Sequence, residues 1–225
     1  MQVQEFYDKI SRDYSDLLRK AVPRYDEMLN TITEYLPGDF NPDKILELGS
    51  GSGNLTEKLV LKFPESIIEI VDISEEFIDL CKIRFKNKTN ITYHQKDFKE
   101  LNFSSGIFDL VVSSISIHHI KNPEKITLFK MIYKILKSGG KFIFVDQTMG
   151  NNSFIYKKHI DNWHKQATYL GSSEKDWKLW MEHQHKHDYH ATISEHFEWL
   201  QLSGFKNIDI LWKNLLWTIF YSEKL

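Results

Sequence analysis

An acid followed by three glycines at alternate positions, Glu47-Leu48-Gly49-Ser50-Gly51-Ser52-Gly53-Asn54, is the densest chemical signal in this chain. Glycine suits such a turn because the backbone must take angles other residues avoid and must approach a ligand with no side chain between. Ile45 to Leu48 read as a short apolar strand, and Asn54 is placed to cap a helix with Glu57 three residues on. A helix start offers free N–H groups and the positive end of a dipole. Strand, glycine turn and helix together make a nucleotide-type cofactor site. Asp72 ends a buried strand and can accept both hydroxyls of a ribose. The same acid could simply cap the turn into the next helix.

The spacing narrows the choice of cofactor. A dinucleotide fingerprint, Gly-x-Gly-x-x-Gly, would need glycine where Asn54 stands. The acidic residue before Gly-x-Gly-x-Gly instead resembles the first motif of the class I S-adenosylmethionine (SAM)-dependent methyltransferases. Three further segments carry the same resemblance in the same order: Asp97-Phe98, the strand start Phe108-Asp109-Leu110-Val111-Val112, and Leu136-Lys137-Ser138-Gly139-Gly140 before Phe142-Ile143-Phe144. That resemblance implies SAM as cofactor, with Glu47, Gly49, Ser50, Gly51, Gly53, Asp72, Ile73, Asp97, Phe98 and Ser114 around it. It also implies N-terminal helices lying over the cofactor, which would bring in Tyr7 and Tyr14; plain packing of those two rings is the alternative. The patches Ala21-Val22-Pro23-Arg24-Tyr25 and Gly204-Phe205…Leu211-Trp212 resemble, at a distance, the carboxy-SAM synthases of tRNA modification, and no residue role is carried over from them.

His118 and His119 follow the fourth strand, where substrate and cofactor meet in such folds, and are the candidate bases. Asp146 at the end of the fifth strand is a second candidate. His183, His185, His187 and His190 are also close in sequence. On a continuous helix at about 100° per residue, His183, His187 and His190 share a face. No cysteine or nearby glutamate completes that set and Asp188 points away on the wheel, so the expectation is a solvated or lid-contact face with no metal.

The elements that must position these residues alternate. Helical spacing runs from Val3 through Tyr14 to Ala21 and from Tyr25 to Leu36, and both stretches precede the first strand. Strands and helices then alternate from Ile45 to Asp146, which demands a parallel sheet. All six tryptophans lie after residue 160, in helical stretches over 154–169 and 173–187 and in the closing elements. Thr192-x-x-Glu195 is a capping box, and Asn207–Trp212 with Leu216–Tyr221 read as a hairpin joined by a short polar turn.

The fold class expected is α/β: a doubly wound, mostly parallel seven-stranded sheet with an antiparallel terminal strand and a helical lid. The chain is expected to be one domain over 1–225. Its parts are an N-terminal helical lid (1–40), a cofactor-binding core (41–150), a helical insertion (151–191) and a closing helix and hairpin (192–225).

The length of 225 residues, 41% hydrophobic and 27% charged, suits such a domain. A formal net charge of −2 gives no electrostatic footprint for nucleic acid. One cysteine, Cys81, on the apolar side of a helix, reads as a core thiol and, with no N-terminal apolar stretch, favours a cytoplasmic protein. No run approaches a membrane span. The function expected is methyl transfer from SAM to a small-molecule acceptor, with aromatic residues of the lid walling the acceptor pocket. A tRNA-modifying SAM enzyme and a non-catalytic SAM-binding regulator are the alternatives.

Overall fold

A computed structural model describes residues 14–225. The expectation for Tyr7 lies outside the described residues. Helix α1 (Tyr14–Ala21) and helix α2 (Tyr25–Glu34) lead into strand β1 (Lys44–Leu48). There follow α3 (Asn54–Lys62), β2 (Ile67–Asp72), α4 (Glu75–Arg84), β3 (Ile91–Gln95), β4 (Phe108–Ser114), α5 (Asn122–Ile135) and β5 (Leu136–Met149). The remainder is α6 (Ser153–Tyr169), α7 (Glu174–His187), the short β6 (Ala191–Thr192), α8 (Ile193–Leu202), β7 (Lys206–Asn214) and β8 (Trp217–Glu223).

The strands join in the order β3-β2-β1-β4-β5-β8-β7. The pairs β1–β2, β1–β4, β2–β3 and β4–β5 are parallel, while β8 runs antiparallel to both β5 and β7. Among the described residues this is the doubly wound, mostly parallel sheet with an antiparallel C-terminal strand that the sequence implies. The two-residue β6, which lies off this path and pairs with the end of β5, was not expected.

Helices cover both faces, so the strands read as near-continuous apolar runs rather than alternating ones. Successive residues still divide between the faces. Ile45, Leu110, Val112, Ile143 and Val145 pack with α1 to α4, whereas Leu46, Val111, Phe142 and Phe144 pack with α5 and α8. Helix α2 belongs to this core, since Met28, Leu29 and Ile32 are fully buried against the sheet. The N-terminal helices therefore divide the work: α2 packs, and α1 reaches the cofactor turn.

Several boundaries differ from the sequence expectation for identifiable reasons. Gly53, at φ 81°, is the N-cap of α3, and Asn54 is its first helical residue. The Asn54 amide is used on the Tyr25 hydroxyl and the Arg84 guanidinium instead. Helix α5 is capped at Lys121, and the Asn122 side chain donates to the His190 carbonyl at 3.4 Å. The hairpin turns through Leu215 and Leu216, and the Leu216 carbonyl accepts from Thr148 N–H at 2.8 Å, so the turn is apolar and tied to the sheet.

Candidate active site

The Gly49–Gly53 turn sits at the carboxyl end of β1, the position at which open α/β sheets bind ligands. Gly49 has φ 73°, and a Cβ on it would fall 2.4 Å from Cβ and Oγ of Ser116. The contact is this close because the hydroxyls of Ser113 and Ser116 both donate to the Leu48 carbonyl, at 2.9 and 3.1 Å, and draw the segment after β4 over the turn. Gly51 lies under the Tyr14 ring, to which a Cβ would come within 3.2 Å. The result is a cleft of about 1050 Å³ walled by backbone on one side and by Tyr14 and Phe77 on another.

Most of the residues singled out in the sequence line that cleft. Glu47, Gly49, Ser50, Gly51, Asp72 and Ile73 come from β1, the turn and β2, while Asp97, Phe98, Ser114 and His119 come from the segments at the ends of β3 and β4. Gly53 is absent from the lining because it packs instead against Phe85 and Cys81. The Cys81 thiol is buried, as expected of a core residue.

Two acids stand at the floor. Glu47 is fully buried; its Oε2 accepts from the Thr56 hydroxyl at 2.6 Å, and its Oε1 finds no hydrogen-bond donor among the described residues. Burial, and then the nearby Asp72 charge, push the Glu47 carboxyl up to about 8. Asp72 accepts from the N–H groups of Gly51 at 2.8 Å and Ser74 at 3.0 Å. It therefore holds the turn as well as facing the cleft, and burial raises it to about 6 against those hydrogen bonds.

A second, narrow pocket adjoins the first. Trp163, Trp180 and Trp217 form its aromatic wall, and Gln147, Gln184, His118, His183 and Asp188 its polar side. Tyr14, Leu18 and Ile115 line both cavities. Ile115 has φ 53°, a left-handed conformation that a β-branched residue adopts only under constraint. Its N–H is fixed to the Val145 carbonyl at 2.9 Å, so the kink after β4 is built into the sheet.

A family model described as "Methyltransferase domain" matches residues 45–140, the stretch that builds the cleft. Over that stretch the chain is similar to the class I SAM-dependent methyltransferases.

Among its relatives is a carboxy-SAM synthase of Nautilia profundicola, 28% identical over 93% of this chain and 91% of that protein. A demethylmenaquinone methyltransferase of Lactococcus lactis is 28% identical over 73% of this chain and 65% of that protein. The fold also matches phosphoethanolamine N-methyltransferase 2 of Haemonchus contortus, solved with phosphomonomethylethanolamine and S-adenosylhomocysteine, at TM-score 0.72 and 17% identity. That match covers all of this chain and 61% of the other. Among the described residues, no helix is long and apolar enough to cross a membrane.

The histidines are arranged differently from the sequence expectation. His118 is buried and its Nδ1 pairs with the Asp146 carboxylate, while His119 faces the cofactor cleft. Burial, followed by the His119 charge, holds His118 below the usual imidazole range. Helix α7 ends at His187, and Asp188 takes an extended conformation at its C-cap. The helical wheel therefore does not apply beyond His187, and Asp188 turns toward the histidines rather than away. His183 and His190 join His118 and His119 around it, whereas His185 is exposed. Burial, then His119, pushes His183 down to about 3. The sequence signal for this grouping was the density of histidine over 183–190; its partner, the His118–His119 pair, lies more than sixty residues earlier.

Proposed function

We propose that this methyltransferase moves the methyl group of SAM to a small acceptor held in the tryptophan-walled cavity. The observation that carries this reading is the shared wall: Tyr14, Leu18 and Ile115 line both cavities, so a donor in one faces an acceptor in the other. In the cleft, Asp72 accepts from the ribose hydroxyls with the lone pairs its two backbone contacts leave, and Asp97 and Phe98 take the adenine. Glu47 offers its open Oε1 to the ammonium of the methionine tail. The acceptor's nucleophile attacks the methyl carbon in line, the carbon–sulfur bond breaks, and sulfur leaves with the electron pair as neutral S-adenosylhomocysteine. Orientation and exclusion of water supply most of the rate, on the order of 7–11 kcal/mol. The His118–His119 pair stands at the boundary of the two cavities, where the acceptor gives up its proton.

The end-to-end match to a carboxy-SAM synthase favours a second reading, in which the chain modifies SAM itself. A carboxylate near the methyl position calls for a fixed cation. No lysine or arginine lines the tryptophan-walled cavity among the described residues, and this supports methyl transfer to an uncharged or cationic acceptor instead. The net charge of −2 supports a metabolite over RNA, and the single buried cysteine suits the cytoplasm. Tritiated SAM incubated with the protein and either a metabolite extract or total RNA tests the reading. Label in the metabolite fraction supports it, while tight SAM binding with label in neither fraction would replace it with a SAM-binding regulator.

A further inference from the structure

Asp188 is almost fully buried, at 3% side-chain exposure, and faces four imidazoles. His119 Nδ1 is 3.1 Å, His183 Nε2 3.6 Å and His118 Nε2 3.8 Å from its Oδ1, and His190 Nε2 is 3.7 Å from its Oδ2. Three of these four separations exceed hydrogen-bond length. They stand a few tenths of an ångström above the spacing of ligands that share one ion. Nitrogen and oxygen ligands about 2.1 Å from one ion stand about 3.0 Å apart in octahedral and about 3.4 Å apart in tetrahedral coordination. His118, His119 and Asp188 each bring a ligand atom within 4.8 Å of the others.

The far sides of two rings carry an independent sign. His118 is held at Nδ1 by the Asp146 carboxylate, which leaves Nε2 directed at the cluster. His190 is held at Nδ1 by the Tyr156 hydroxyl at 2.8 Å, again leaving Nε2 for Asp188. A carboxylate or hydroxyl that fixes one ring nitrogen so that the other presents its lone pair is the usual second layer of a metal site. The segment bearing Asp188 is itself fastened: Tyr189 N–H donates to the His118 carbonyl at 2.7 Å, and Lys125 donates to the Tyr189 carbonyl.

From this geometry we infer that His118, His119 and Asp188, with His183 and His190 completing the shell, bind one divalent first-row transition ion such as Zn²⁺ or Fe²⁺. A nitrogen-rich set with a single carboxylate selects against Mg²⁺ and Ca²⁺, which need oxygen ligands. The site rests on this arrangement of side chains alone; its role rests on the proposed methyl transfer. His118 and Asp188 line the acceptor cavity and His119 the cofactor cleft, so the ion sits where they meet. There it ligates the acceptor's oxygen or sulfur and lowers its pKa. The proton leaves to solvent, the ligated anion forms its bond to the methyl carbon, and sulfur departs with the carbon–sulfur pair. The acceptor class is then a hydroxyl or thiol compound rather than an amine.

The test uses the full-length chain stripped with a chelator and titrated with Co²⁺, then Zn²⁺, each without cofactor. One equivalent of Co²⁺ is expected to give d–d absorption that Zn²⁺ displaces and excess Mg²⁺ does not. Zn²⁺ should also raise the thermal midpoint. Asp188→Asn and His119→Gln should each weaken binding at least tenfold, and the exposed His185→Gln should leave it unchanged. Circular dichroism reports folding; if Asp188→Asn does not fold, His119→Gln and His190→Gln decide. Substoichiometric binding by the wild type, or wild-type affinity in the folded Asp188 or His119 variants, overturns the site. Transfer of label that persists in the stripped protein overturns the ion's role and leaves the site. Absence of any labelled acceptor defeats the methyl-transfer reading, while the Co²⁺ titration still decides the site.

Discussion

The cofactor cleft and the acceptor cavity share a wall but are built by opposite means. The cleft is mostly backbone and strand tips drawn from consecutive βα units: the turn over 49–53, Asp72 at the end of β2, Asp97 and Phe98 after β3, Ser114 at the end of β4. The acceptor cavity is side chains from α1, the kink after β4, α6, α7 and β8. A ligand common to a whole family can be held by the main chain, which varies little. One particular to this protein must be recognised by side chains, which vary freely. The two regions accordingly predict separable mutational effects.

The largest effect is expected at the turn. Gly49→Ala would force a Cβ to 2.4 Å from Ser116 while holding a left-handed backbone, so cofactor binding should be lost outright, by more than about 100-fold. Calorimetric titration with S-adenosylhomocysteine checks it, and near-normal affinity would mean that Ser116 does not cover the turn. Asp72→Asn removes the charge from hydrogen bonds to the ribose and should cost about 2–3 kcal/mol of cofactor affinity, roughly 30- to 100-fold. Since Asp72 also ties Gly51 to β2, the same variant should lower the unfolding midpoint in urea. A loss of affinity confined to SAM would separate binding from fold.

On the acceptor side, Trp180→Ala should lower kcat/KM for the acceptor by about 30-fold and move the cofactor dissociation constant by less than twofold. Equal losses on both sides would merge the two regions into one site. The smallest effect is the pH dependence of the cleft. Glu47 is raised to about 8, so it holds its proton more tightly in the folded protein than in the unfolded chain. Its contribution to stability is therefore present in full below about pH 4.5 and is lost as pH rises through 8. SAM binding needs the ionised form, so affinity should increase up to about tenfold per pH unit between pH 6 and 7.5. Glu47→Gln, or a ligand lacking the methionine tail, should flatten that slope.

The same division explains what the sequence disclosed. Glu47, Gly49, Gly51 and Asp72 were legible because glycine turns and strand-end acids have fixed spacings along a βα chain, and Asp97 and Phe98 because their segment resembles the family's; Gly53, expected beside them, packs against Phe85 and Cys81 instead. The parallel pairing of the sheet followed from the alternation of elements. The grouping of His118 and His119 with His183, Asp188 and His190 had no such spacing to betray it. The wheel misplaced Asp188 because α7 stops one residue before it, and nothing in the residue types there marks the stop: there is no glycine or proline between Lys186 and His190. Ile115 was equally hidden, since a β-branched residue gives no sequence hint of a left-handed backbone; the hydrogen bond to Val145 that holds it is a long-range contact. Trp163, Trp180 and Trp217 were legible as aromatic density but not as one wall.

Methyl transfer as proposed requires donor and acceptor to meet across Tyr14, Leu18 and Ile115. A crystal structure of the protein with SAM bound tests it most directly. The expected complex has the ribose on Asp72, the adenine against Phe98, and the methyl group directed past Ile115 into the tryptophan-walled cavity. SAM bound with its methyl group pointing to solvent, or with that cavity sealed from the sulfonium, would contradict it.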